Sequence, residues 1–288
     1  MTSDEEFAHK RLEAEQFIRQ QAPAYLQEQL IALLRPIVAL TAAPTEDPNI
    51  PIGASKFGGS PDVPLDFQWP TWKGQSLGFL AQINLEEVAP FDVDSLLPKN
   101  GMLWFFLALN QDTPLYGYPE EFGGWQIIFE RKPLALQRVT PPENSHWTIS
   151  FIEEPDETFP ILSQRVTFGA GWAFPRNSFE SLYRHSRIEE DWDEFERELR
   201  ERSPHRMLTC PYAPQLSPFI IAANAWQEKS GDDIYSEETA TNEWDLLLQL
   251  DTGTEGFFAD IYDLQWLYFL IRRDDLKNAD FSRVWFNN

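Results

Sequence analysis

The chain holds one cysteine, Cys210, in 288 residues, which excludes an intramolecular disulfide and any multi-thiolate metal centre. Long apolar runs are missing too. The longest, such as "MLWFFLAL" at 102–109, are far shorter than the ~20 residues a membrane helix needs. Only four histidines occur (His9, His146, His185, His205), and none forms a His-x-His or His-Glu-x-x-His pair, so the common zinc patterns are excluded. "EEDWDE" could hold calcium only loosely, since no loop has EF-hand spacing. Gly-x-Ser-x-Gly, the Walker loop and Gly-x-Gly-x-x-Gly are absent, and "FGAGW" at 168–172 supplies only two glycines. No cofactor or metal is therefore expected.

Cations are scarce as well: 23 Lys and Arg stand against 46 Asp and Glu, a net charge of −23. Nucleic-acid backbones and anionic membrane surfaces are disfavoured as partners, because binding them relies on Lys and Arg. A basic protein or a cation is what such a field attracts. The N-terminus, "MTSDEEFAHKRLEAEQ", is acidic where a secretory leader would be basic and then apolar. With one cysteine, this gives a soluble cytoplasmic protein as the expectation.

What is present is a globular pattern. Hydrophobic residues make up 42% and aromatics 14% of the chain, enough for a packed core. Ser3 followed by Glu6 forms a capping box for a first helix. Leu26, Leu30, Leu33, Leu34 and Ile37 recur at helical spacing in a second, which Pro36 ends. "IVAL" (37–40) is already extended, and 41–55 is a proline-rich loop. Strands are expected at 77–83, 102–109, 125–129, 147–152, 219–223, 244–250 and 265–272, several too continuous to leave one face wet. A charged helix with Ile188, Trp192, Phe195 and Leu199 on one side interrupts them.

An internal echo links the two halves. "KFGGSP" (56–61) and "RMLTCP" (206–211) share a basic residue, an apolar residue and a proline at the same offsets. Each precedes an apolar strand with a glutamine and then an amide or acid: Gln82 and Asn84, Gln249 and Asp251. Each of those precedes an aromatic strand. The second copy carries about 17 extra residues before its glutamine. A duplication is the expectation, with pseudo-repeats at about 55–152 and 205–288.

These motifs resemble the YwqG-like proteins, a bacterial family whose domain has no established activity. "SKFGGSPDVPLDFQWP", "LGFLAQINLEEV" and "LPKNGMLWFF" are similar to its opening signature. "HRMLTCPYAPQ", "WDLLLQLDT" and "LYFLIRRDDLKNADFSRVWF" are similar to its closing elements. Thr209 stands where the family usually has glycine. "GFFADIYDLQWLYF" replaces a Trp-Gly-Asp-x-Gly approach, with Asp260 or Asp263 at the aspartate position. The resemblance implies an α+β, sheet-rich, largely antiparallel, internally duplicated domain over 37–288, with residues 1–36 as an N-terminal helical extension.

"LDTGT" at 250–254 looks like the catalytic turn of an aspartic protease, but a second Asp-Thr/Ser-Gly is missing and the dyad needs two carboxylates. By the echo, Asp251 matches Asn84 as the end of a strand, with Gly253 supplying positive φ for the turn. Cys210, before a proline and without an identifiable base, reads as an inert core thiol. Gln82 and Gln249 interrupt buried runs and must find hydrogen-bond partners. Either they tie strands or loops together across a pseudo-twofold axis, or they line a cleft between the halves with Lys56, His205 and Gln215. The leading expectation is a non-catalytic acidic protein-binding module, immunity-like in neutralising a basic partner. The alternative is a small-molecule-binding protein or hydrolase using that cleft.

Overall fold

The computed structural model of the protein describes residues 1–109, 114–145, 147–148, 158–159, 161–174, 203–212, 217–230, 237–253 and 266–288. Helix α1 (Ser3–Gln21) starts one residue earlier than the Ser3 box implies. Thr2 is its cap, accepting from Glu5 N while Glu5 accepts from Thr2 N. Glu6 is thereby released for another task, and its carboxylate accepts from Ala170 N at 2.8 Å. Helix α2 (Gln27–Leu33) stops ahead of Pro36, which forbids the helical conformation at Arg35. Ala14, Phe17, Ile18, Leu26, Leu30 and Leu34 form a small core of their own under these helices, against Trp172 and Phe174.

Strand β1 (Arg35–Pro44) takes up most of the backbone expected to start the loop. After it come β2 (Lys56–Phe57), β3 (Gly78–Asn84), a one-turn helix α3 (Leu85–Val88), β4 (Met102–Leu107), β5 (Trp125–Glu130) and β6 (Gln164–Ala173). The rest of the sheet is β7 (His205–Met207), β8 (Trp244–Asp251), β9 (Trp266–Arg272) and β10 (Trp285–Asn287). Helices α4 (Pro218–Ser230) and α5 (Glu237–Glu243) lie between β7 and β8, and α6 (Arg273–Lys277) follows β9. All ten strands join one antiparallel sheet, ordered β10-β9-β8-β7-β1-β6-β2-β3-β4-β5. β1 and β6 pair over ten positions at its middle. Every residue of β4 is buried, as are all but the last of β3 and of β8, as their unbroken apolar runs require.

One expected strand is a helix. Residues 219–223 belong to α4, where Pro218 occupies the first helical turn and alanines supply helix propensity. Phe219, Ala222 and Ala223 are buried and Trp226 packs on the core, a helical spacing that a short apolar run conceals. The strand expected at 147–152 is extended at Trp147–Thr148, while its remainder and the helix around Trp192 lie outside the described residues. Among the described residues no helix is long and apolar enough to cross a membrane.

The sheet curls until it is nearly closed. Phe105 of β4 meets Phe269 of β9 with ring centroids 5.1 Å apart. At the edges, Trp125 Nε1 donates to Val284 O at 2.8 Å, and Trp285 Nε1 donates to Gly117 O at 3.0 Å. Asn287 and Asn288 donate to Tyr116 O and Leu115 O, so the 115–118 loop seals β10. Gly117 has φ +88, and a Cβ there would sit 2.2 Å from Phe286 O. Gly117→Ala should therefore force the seam apart and cost about 2 kcal/mol or more. Urea unfolding reads this directly; an unchanged midpoint would show that the seam adds nothing to stability.

Candidate functional site

Lys56 is fully enclosed, and an enclosed ammonium must be paired. Its Nζ donates to Asp47 Oδ1 at 2.6 Å and to Ser60 O. Burial lowers its pKa, opposed by the bond to Asp47 and by the charge of Asp62. Asp62, also fully enclosed, accepts from Arg138 Nε at 2.8 Å, Gln82 Nε2 at 2.9 Å and Gly53 N at 3.0 Å. Gln82 Oε1 accepts from Asp62 N at 2.7 Å, and its Nε2 also donates to Ala54 O at 2.7 Å. A buried network this saturated fixes structure and leaves no group of Gln82 facing a ligand.

The other half shows a comparable pattern of backbone pairing and amide hydrogen bonds. Lys56 lies opposite Gln82 between β2 and β3, as Arg206 lies opposite Gln249 between β7 and β8. Gln249 Oε1 accepts from Tyr212 N at 2.8 Å, and its Nε2 donates to Pro204 O at 3.4 Å. Trp104 Nε1 donates to Asp62 O at 2.9 Å, and Tyr268 Oη to Tyr212 O at 2.8 Å. Asn84 N donates to Ser55 Oγ, and Asp251 N to His205 Nδ1. Gly58 and Gly59 are left-handed, as are Leu208 and Thr209. The halves differ in charge pairing. Arg206, 4% exposed, donates its Nε and Nη2 to Ser203 O, and no carboxylate pairs with it among the described residues.

Of the residues expected to share a cleft, Lys56 and Gln82 thus meet in one network, and His205 and Gln249 sit in its counterpart. Phe57 links the two, its ring centroid 5.1 Å from that of His205. Gln215 lies outside the described residues. The four that are described are each 3% exposed or less, and none is among the residues that line a cleft between residues 94–98 and α6. Asp47, Asp62 and Arg138 escaped the sequence reading. Asp62 follows Pro61 of the echoed motif and carried a signal; Arg138 is 76 residues from its partner and carried none. The echo did mark Arg206 as the match of Lys56, although its neighbour His205 was the residue singled out.

Asp251 ends β8, and its Oδ1 accepts from Gly253 N at 3.0 Å, as Asn84 Oδ1 accepts from Glu86 N at 3.0 Å. Gly253 does not have positive φ, contrary to expectation, because the side chain of Asp251 itself closes the turn. Cys210 is buried, and burial pushes its thiol up to about 12, which suppresses the thiolate. No group of three or more His, Cys, Asp or Glu among the described residues could hold a metal ion.

Together these features define a nearly closed antiparallel sheet protein with buried amide networks on both arms. Residues 55–288 match the family described as "Domain of unknown function (DUF1963)", and the chain belongs to that family. The YwqG-like resemblance of its motifs is consistent with this membership. No curated protein matches the chain.

His205 gives the network a pH signature. Burial lowers its imidazole from 6.5 to about 4, and its Nδ1 must stay unprotonated to accept from Asp251 N. Between pH 6.5 and 4 the unfolded chain binds this proton and the folded one does not. The associated stability is complete above the unfolded value and is lost as pH falls toward 4, by about 3 kcal/mol. Urea titrations across that window should show a steeper acid loss for the wild type than for His205→Gln. Equal slopes would clear His205 as the cause.

Proposed function

We propose that the protein is a non-catalytic acidic binding module that recognises a basic protein. The net charge of −23 carries this reading. Two of the scarce cations are moreover enclosed, Lys56 wholly and Arg206 nearly so, while Arg138 and Arg165 are held by Asp62 and Glu87. The outer field is then dominated by carboxylates, which accelerate encounter with a cationic surface and reject anionic competitors. The mode is that of an immunity-like protein, which masks a basic partner without chemistry of its own. Affinity capture from cells of the source organism at about 50 mM salt should recover a partner of basic pI, released as salt screens the field. Recovery of only neutral or acidic proteins, or of none at low and moderate salt, would sink the reading.

We also propose that the two arms, at about 55–152 and 205–288, are copies of one ancestral unit within a domain spanning 37–288, to which 1–36 is a helical extension. The support is the register: Lys56 with Arg206, Gln82 with Gln249, Trp104 with Tyr268, and one β-bulge on each arm between Phe79 and Ala81 and between Leu246 and Leu248. Chance would not align hydrogen bonds, bulge and left-handed turn together. Aligning family profiles of the first arm against the second should recover this same register. A better score in any other register would count against duplication.

A further inference from the structure

A cleft of about 770 Å³ opens between the 94–98 loop and the segment from Arg273 to Ala279, a size typical of small-molecule sites. Its charge runs against that of the chain. Arg131, Arg273 and Lys277 line it with only Asp94 and Asp245, whereas carboxylates outnumber cations two to one overall. Asp245 is taken by Arg273, whose Nε and Nη2 donate to it at 3.1 and 3.2 Å. What remains is Arg131 and Lys277 against Asp94. Arg131 is exposed and makes no ion pair among the described residues; its guanidinium only rests over Phe129, 5.8 Å from the ring centroid. Lys277 pairs with Asp274 at 3.3 Å, but both side chains are over 70% exposed, so the contact holds it weakly. The apolar part of the lining comes from Leu97 and Leu276, which are buried, and from half-buried Leu96, beside the polar Ser95, Thr209 and Asn278.

The cleft lies beside the left-handed turn of the second arm. In the first, the left-handed Gly58–Gly59 turn is covered by Ile161, Leu162, Ser163 and Asp47, with no room even for a Cβ. In the second, the matching Leu208–Thr209 turn has side chains, and Thr209 faces the cleft with its Oγ1 bound to Pro36 O at 2.7 Å. Leu208 itself is buried, so Thr209 is the residue of this turn that reaches the cleft.

We propose that this cleft binds a small organic anion, its charged head between Arg131 and Lys277 and its apolar body against Leu96, Leu97 and Leu276. The site is independent of the basic-partner reading: it stands if no such partner is found, and its failure leaves that reading intact. The test uses the full chain, with 8-anilinonaphthalene-1-sulfonate as an anionic fluorescent probe and N-phenyl-1-naphthylamine as its uncharged counterpart. At about 50 mM salt the anion should bind one saturable site. Arg131→Gln with Lys277→Gln should weaken it about fivefold or more, while Asp94→Asn should tighten it about twofold. The uncharged probe should be indifferent to all three changes. Displacement by phenylacetate or by phenyl phosphate then tells a carboxylate head from a phosphate one. These side chains are exposed, so circular dichroism should match the wild type. Equal anion binding by wild type and double variant, or weaker binding by Asp94→Asn, would overturn the proposal.

Discussion

A carboxamide sealed inside an apolar strand has no water to turn to, so its partners must be brought to it. Gln82 meets that demand with the backbone on either side of β2, accepting from Asp62 N and donating to Ala54 O. One side chain thereby fixes where the chain enters β2 and where it leaves. Gln249 does the same for β7, through Tyr212 N and Pro204 O. β2 and β7 have two and three residues, too few for ladder bonds alone to secure them. The amides hold them beside β3 and β8, and through these short strands each arm is joined to the β1–β6 pair.

The first arm adds a complete set of ionic partners to this frame. Lys56, Asp47, Asp62 and Arg138 satisfy one another, so removing any one would leave another charge buried without its counterion. On the second arm Tyr212 stands where Asp62 does on the first, and the matching cation, Arg206, leans on a carbonyl instead. Its pKa is lowered by burial. The same scaffold thus carries a neutralised interior on one side and, on the other, a guanidinium held by a carbonyl with no carboxylate paired to it among the described residues.

Strands with long unbroken apolar runs, β3, β4, β8 and β9, were legible because burial on both faces leaves a compositional mark. The echo of "KFGGSP" in "RMLTCP" was legible for a related reason: similar hydrogen-bonding roles sit at the same backbone offsets although the residues differ. Helix α4 was not, because five apolar residues fit a buried strand as well as a buried helix face. The seam between β5 and β10 had no local signal at all, since Trp125 and Val284 are 159 residues apart. Arg138 and the cleft were hidden likewise, both assembled from segments that only the curled sheet brings together. Gly253 shows the opposite error. Glycine after Asp-Thr suggested a left-handed turn, yet the carboxylate of Asp251 closes it with ordinary backbone.

The family match begins at residue 55, but β1 ends at Pro44 and lies at the middle of the sheet. Ten paired positions with β6 on one side and three with β7 on the other make β1 the strand through which the arms join. Helix α1 reaches the same region, where Glu6 caps the amide of Ala170 in β6 and Trp172 Nε1 donates to Phe7 O. Residues before 55 therefore supply the central strand of the sheet and a cover for its neighbour. A fragment cut at the start of the family match would lose the strand between β6 and β7. It would also lose Asp47, leaving Lys56 enclosed without the carboxylate that neutralises it.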